Sequence, residues 1–150
     1  MKEFYTKNEM EFLKNVELSR PNNGRISQLK KFAELQGIKK IGIANCISMK
    51  NEAEKLKQML EDKFEVFTVD CRINSIEKSE LFENSDFKGM ACNPKGQAKY
   101  LNENGTELNI IMGLCHGQDI MFSLNSKAPT TTLVVKDKKN NHNPLEELKS

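Results

Sequence analysis

Residues 108–122 read LNIIMGLCHGQDIMF, and how they are read decides the fold. The first five form an apolar run that is short and does not alternate, as a strand covered on both faces requires. The run ends at Gly113-Leu114, and Cys115 stands where the strand gives way to a loop. A second apolar segment comes after Gly117 and Asp119, and its spacing predicts a helix.

The same grammar recurs upstream and downstream. KKIGIANC (39–46) is a short apolar run ending in Cys46, and FEVFTVDC (64–71) ends in Asp70-Cys71. TTTLVV (130–135) reads as a fourth strand. Between the first two runs, Met49, Ala53, Leu56, Met59 and Leu60 form the apolar stripe of an otherwise charged helix. CNPKGQAKYLNENGT (92–106) opens with Cys92, carries Pro94 at a helix-starting position and closes at Asn104-Gly105. RINSIEKSELFENSDFKGMA (72–91) is a polar, irregular connection, and NPLEELK (143–149) a short terminal helix. Strand alternating with helix is the pattern of parallel crossovers. The chain is therefore expected to be α/β: a three-layer parallel sheet of about four strands with helices on both faces. A strand order of 2-1-3-4 is the simplest.

Residues 1–37 form a helical N-terminal arm ahead of the α/β domain, residues 38–150, the whole making one compact domain. KNEMEFLKNVEL (7–18) brings Met10, Phe12, Leu13 and Val16 near one face. Pro21 and Gly24 break the pattern. Ile26, Leu29, Phe32, Ala33 and Leu35 resume it, and Gly37 ends it. Such a helical pair suits an oligomer contact, so a homo-oligomer through the N-terminal helices is one expected partnership.

The 150 residues carry 23 basic and 21 acidic side chains, a formal charge of +2, and no Trp. That balance gives no basic face for nucleic acid and no aromatic platform for bases. No window reaches the roughly 18 apolar residues that span a bilayer, and the charged N-terminus has no apolar signal core. A cytoplasmic protein without nucleic-acid or membrane partners is expected. The chain shows no phosphate loop or dinucleotide fingerprint, since GIANCISMK (42–50) has a single Gly, and no nucleophile-elbow motif.

Four cysteines in a reducing compartment point to metal binding or thiol chemistry more than to disulfides. Cys46, Cys71, Cys92 and Cys115 are spaced by 25, 21 and 23 residues, which excludes a local Cys-x-x-Cys knuckle. Three of them follow strands, and Cys92 precedes a helix. All four are thus placed on the edge of a parallel sheet where ligands of open α/β folds bind. Helix N-termini there favour thiolates. Four thiolates suit a metal ion: zinc or an iron–sulfur cluster. The rival reading makes Cys115 or Cys46 a low-pKa nucleophile, with a neighbouring cysteine resolving the intermediate. A third reading makes them inert core residues of a structural or interaction domain. His116 adjoins Cys115 and suits a ligand or a proton carrier. His142 falls in a polar turn. Asp119 is expected to cap the following helix, and Asp70 to oppose a thiolate at Cys71.

Residues 91–144 carry a specific series: CNP, a helix ending LNENGT, then GLC followed by Gly117 and Asp119, then SKAP with TTL, then HNP. With GIANC and DC upstream, this series resembles a prokaryotic family of uncharacterised cysteine-rich metal-binding proteins. The resemblance implies Cys46, Cys71, Cys92 and Cys115 as ligands, with Asn93, Pro94, Gly117 and Asp119 shaping the site. Two departures stand out. Family members often begin with a cysteine-rich segment, and this chain has no cysteine before Cys46. Gln118 also occupies the place where the family loop tends to carry His.

Overall fold

The central strand of the sheet is β1 (Lys40–Asn45), and its neighbours on both sides run parallel to it. The structure is a computed structural model describing residues 1–149. β2 (Glu65–Asp70) pairs with β1 from Lys40↔Glu65 to Asn45↔Asp70. β3 (Leu108–Met112) pairs on the other side, and β4 (Thr130–Val134) pairs with β3, giving the order β2-β1-β3-β4. This is the α/β sheet expected, with the 2-1-3-4 order. Between strands lie α3 (Lys50–Leu60), α5 (Pro94–Glu103) and α6 (Gln118–Asn125).

Successive side chains of a strand point to opposite faces, and on β1 and β3 both sets are buried. Ala44 and Ile111 pack with Ala98 and Leu101 of α5 and Phe122 of α6. Ile41, Ile43 and Ile110 point the other way and are also fully covered, as are Ala53, Leu56 and Leu60 of α3, which packs on β1 and β2. Helices cover both faces, which is why the strand sequences are apolar throughout.

Two glycines admit close approaches that a Cβ would block. At Gly42 an added Cβ would clash with Asn109 Oδ1 and lie 2.9 Å from both Leu101 methyl groups. Gly113 has φ +74° and faces the Met49 thioether, and its N–H donates to Val134 O at 2.8 Å. The β3–β4 register slips at this end, with Ile111 opposite Thr132 but Met112 opposite Val134. Such a bulge bends the strand and re-aims the residues beyond it, here Val135 and Lys136.

The connection 72–91 is more ordered than its composition suggests. It holds a one-turn helix, α4 (Lys78–Leu81), closed by a bridge between Glu77 and Met90. The C-terminal segment Pro144–Lys149 is a 3-10 helix.

The chain divides into two units, Met1–Lys39 and Lys40–Ser150. The first is a helical pair, α1 (Lys7–Ser19) and α2 (Arg25–Leu35). Thr6 and Glu9 cap α1 reciprocally. Phe12 and Phe32 meet edge to face at 4.9 Å. The buried residues of α1 are polar ones, Asn15 and Ser19, while Phe12 and Leu13 remain exposed. Asn15 is buried at low cost because its amide donates to Gln36 Oε1 at 2.7 Å and Leu35 O at 3.4 Å.

Gly42→Ala is expected to destabilise the α/β unit by about 1–3 kcal/mol, the range for overpacking a filled core. Urea denaturation followed by circular dichroism checks it, and an unchanged midpoint would contradict the close approach of Asn109.

Candidate functional site: a rim of four thiols

Parallel strands deliver all their C-terminal ends to one edge, and that edge carries the cysteines. All four are free thiols. Cys46 directly follows β1 and opens a short 3-10 turn, Ile47–Met49, that leads into α3. Its N–H donates to Met112 O at 3.2 Å. Its carbonyl accepts from the buried Asn45 amide at 2.8 Å and from Met49 N–H at 2.9 Å. The backbone of Cys46 is therefore held from three directions.

Its sulfur is held as well. Cys46 Sγ accepts from Ser48 Oγ at 3.1 Å and from Lys136 Nζ at 3.3 Å, and Lys136 Nζ also donates to Ser48 Oγ at 2.6 Å. Burial alone pushes this thiol up. The Ser48 hydroxyl and backbone and the Lys136 ammonium outweigh burial and bring it below the ordinary thiol value. The surroundings of Cys46 thus favour a thiolate.

The other thiols are arranged differently. Cys71 follows β2, is 2% exposed, and its Sγ accepts from Ile47 N–H at 3.4 Å, in the loop that Cys46 begins. Burial pushes Cys71 up to about 11 against the Ile47 N–H, helped by a hydrogen bond and charge from Cys92 and by the charge of Cys46. Burial also raises Cys115, where Cys46, Cys92 and Asp119 add to the rise and Lys136 opposes it. Cys71 and Cys115 both feel the charge of Cys46 and of Cys92. The four sulfurs, far apart in sequence, therefore share one electrostatic neighbourhood.

Asn93 N–H donates to Cys71 O at 2.7 Å, and its side chain caps α5 at Gly96 N–H and donates to Ile73 O, both at 2.9 Å. Asp119 Oδ1 accepts from Gly117 N–H at 3.1 Å and Ile120 N–H at 2.8 Å, stiffening the loop after Cys115. Asp70 pairs with Lys50 at 3.8 Å and accepts from Arg72 N–H, so its charge is partly offset. His116 is exposed beside Cys115. His142 lies in the C-terminal segment, where its Nδ1 accepts from Asp137 N–H at 3.1 Å.

Three residues of this site escape a search for cysteines and histidines. Lys136 follows β4 as the cysteines follow β1–β3, so the strand-end rule, extended to the fourth strand, points to it. Ser48 stands two residues after Cys46. Gln97 is a polar residue one helical turn before the buried Leu101, and that placement is its only signal.

The arrangement does not fit a metal site as it stands. Among the described residues no three His, Cys, Asp or Glu side chains gather into a group that could hold a metal ion. The Lys136 ammonium on Cys46 Sγ would also repel a cation there. Among the described residues no helix is long and apolar enough to cross a membrane.

Residues 2–133 match the family described as protein of unknown function (DUF1847), and the chain belongs to that family. Over 123 residues it is 49% identical to Uncharacterized protein MJ0455 of Methanocaldococcus jannaschii. The match covers 79% of this chain and 63% of that protein, so the chain spans under two thirds of that relative's length. No solved structure matches. The resemblance seen in the motifs holds as membership of an uncharacterised family, and the match carries no statement about metal.

The electrostatics of the rim can be tested at two sulfurs. Replacing both Ser48→Ala and Lys136→Met removes the groups that stabilise the Cys46 thiolate, so its titration midpoint is expected to rise. The pH dependence of iodoacetamide labelling, mapped to the Cys46 peptide, checks this, and an unmoved midpoint would contradict it. Cys71 works in the opposite sense. The fold favours its protonated form, so its contribution to stability is complete below about pH 9 and fades as pH rises toward about 11. In Cys71→Ala the alkaline loss of stability, read from urea midpoints across that range, is expected to be shallower than in the unaltered chain.

Proposed function

We propose that this chain performs thiol-based sulfur chemistry, with Cys46 as the attacking thiolate of the four-thiol rim. The observation that supports it is the double donation to Cys46 Sγ from Ser48 and Lys136. A hydroxyl and an ammonium on one sulfur are what activates a cysteine nucleophile.

The step that suits this geometry is exchange with a disulfide. The Cys46 thiolate attacks one sulfur of the substrate; a new S–S bond forms as the old one breaks, and the second substrate sulfur leaves as a thiolate. The charge on Cys46 is thereby lost. That charge is one of the influences holding Cys71 protonated, so mixed-disulfide formation makes Cys71 easier to ionise. The Cys71 proton passes to solvent, its thiolate attacks Cys46 Sγ, and the first substrate sulfur leaves as a thiolate. Two thiols are oxidised to an intrachain disulfide, and one disulfide is reduced to two thiols. Cys46 exposes 7% of its surface, which suits a small disulfide better than a protein surface.

A soft metal ion held by Cys46, Cys71, Cys92 and Cys115, zinc or within an iron–sulfur cluster, is the rival, and one preparation decides between them. Purified without oxygen, the protein is expected to hold substoichiometric metal by elemental analysis and to reduce hydroxyethyl disulfide. Cys46→Ser should lower that rate by at least about 100-fold, the scale of losing an activated nucleophile. Stoichiometric metal lost in each single Cys→Ser variant, with no disulfide reduction, would replace this reading with the rival.

A further inference from the structure

Gln97 is fully buried in the first turns of α5, yet it is polar. Its Nε2 donates to Asn45 O at 3.1 Å and to Val69 O at 2.8 Å. Those carbonyls belong to the last residue of β1 and the penultimate residue of β2. In the β1–β2 ladder Val69 lies opposite Ala44 and Asn45 opposite Asp70, and the Gln97 amide adds a donation from α5 to one carbonyl on each strand. Asn45 immediately precedes Cys46, and Val69 lies two residues before Cys71. The same helix begins at Asn93, whose N–H and side chain bind Cys71 O and Ile73 O, and Cys92 immediately precedes Asn93.

The glutamine has a cost. Its Oε1 is buried with no hydrogen-bond partner among the described residues, and buried polar atoms are rarely left so. A methionine would fill the space without that cost. What methionine cannot supply is the paired donation that ties two strand ends to one helix.

We propose that Gln97 is a positioning residue of the thiol rim, setting the reach between Cys46 and the Cys71–Cys92 pair by holding the ends of β1 and β2 on α5. Asn93 has the complementary task, holding Cys92 against Cys71. The inference rests on the reading that these thiols act together, and it is tested separately from their reactivity.

Dibromobimane, a bifunctional reagent that bridges neighbouring thiols, serves as the probe, with the bridged pairs identified by peptide mapping. In Gln97→Met, bridging of Cys46 to Cys71 or Cys92 is expected to fall roughly tenfold, while bridging of Cys71 to Cys92 persists, because small misplacements of reacting groups cost large factors in rate. Asn93→Ala should give the converse pattern. A general loosening of the fold would slow all pairs alike, so equal losses in every pair, or none in a folded variant, would overturn the proposal. If Gln97→Met does not fold, Gln97→Glu replaces it. A protonated carboxyl keeps one of the two donations, so an intermediate rate is expected and an undiminished one counts against the role. A Cys46 titration midpoint at the ordinary thiol value would remove the proposed function but leave the pair-specific bridging pattern as it is.

Discussion

The rim of four thiols depends on the parallel pairing of β1 with both of its neighbours. In such a sheet every strand ends on the same edge, so residues that are distant in the chain but equivalent in each β-α unit arrive side by side. Cys46, Cys71 and Cys115 follow three strands, and Lys136 follows the fourth. An antiparallel arrangement would scatter the same residues to opposite edges. The pairing extends one residue past β1, through Cys46 N–H to Met112 O, so the edge is ordered where the first thiol sits.

The sheet is legible in the sequence because its determinants are local. Apolar runs that do not alternate, such as Leu108–Met112, report strands covered on both faces, and the 49-53-56-60 stripe reports the helix between two of them. The placement of the cysteines after these runs is legible for the same reason. The features that stay hidden depend on contacts across tens of residues. Lys136 meets Cys46 ninety positions away, and the slipped register before it is a matter of strand pairing that composition does not express. Gln97 looks like an ordinary surface glutamine until α5 is laid against the ends of β1 and β2. The N-terminal helices show the reverse failure. Their periodicity suggests an apolar face with Phe12 and Leu13, but Asn15 and Ser19 are the residues that α1 buries, because a satisfied amide can take a core position.

One pattern of cysteines does not produce one kind of thiol. All four lie in a common neighbourhood, and helices start close to Cys46, Cys92 and Cys115, so a simple helix-terminus argument would lower them all. Burial acts upward on Cys46, Cys71 and Cys115 alike. The difference lies in the donors each sulfur finds. Cys71 has a single backbone N–H at 3.4 Å, whereas Cys46 has a hydroxyl and an ammonium. Hydrogen bonds to the charged form decide the sign.

This asymmetry also bears on the choice between nucleophile and metal ligand. Thiols that feel one another's charge cannot all ionise freely, since each thiolate raises its neighbours. Lys136 brings one positive charge to the rim and aims it at one sulfur. The donors on Cys46 favour its thiolate, while burial and the neighbouring sulfurs favour the protonated forms of Cys71 and Cys115. A structural metal site asks for the opposite, several thiolates at once around a shared dication, and it has no use for an ammonium bonded to one of the ligands. Such a site would require Lys136 to leave Cys46 and the sulfurs to close together. Disulfide exchange requires neither movement before the first attack, because the donors that favour a thiolate already stand on the sulfur that the lysine holds.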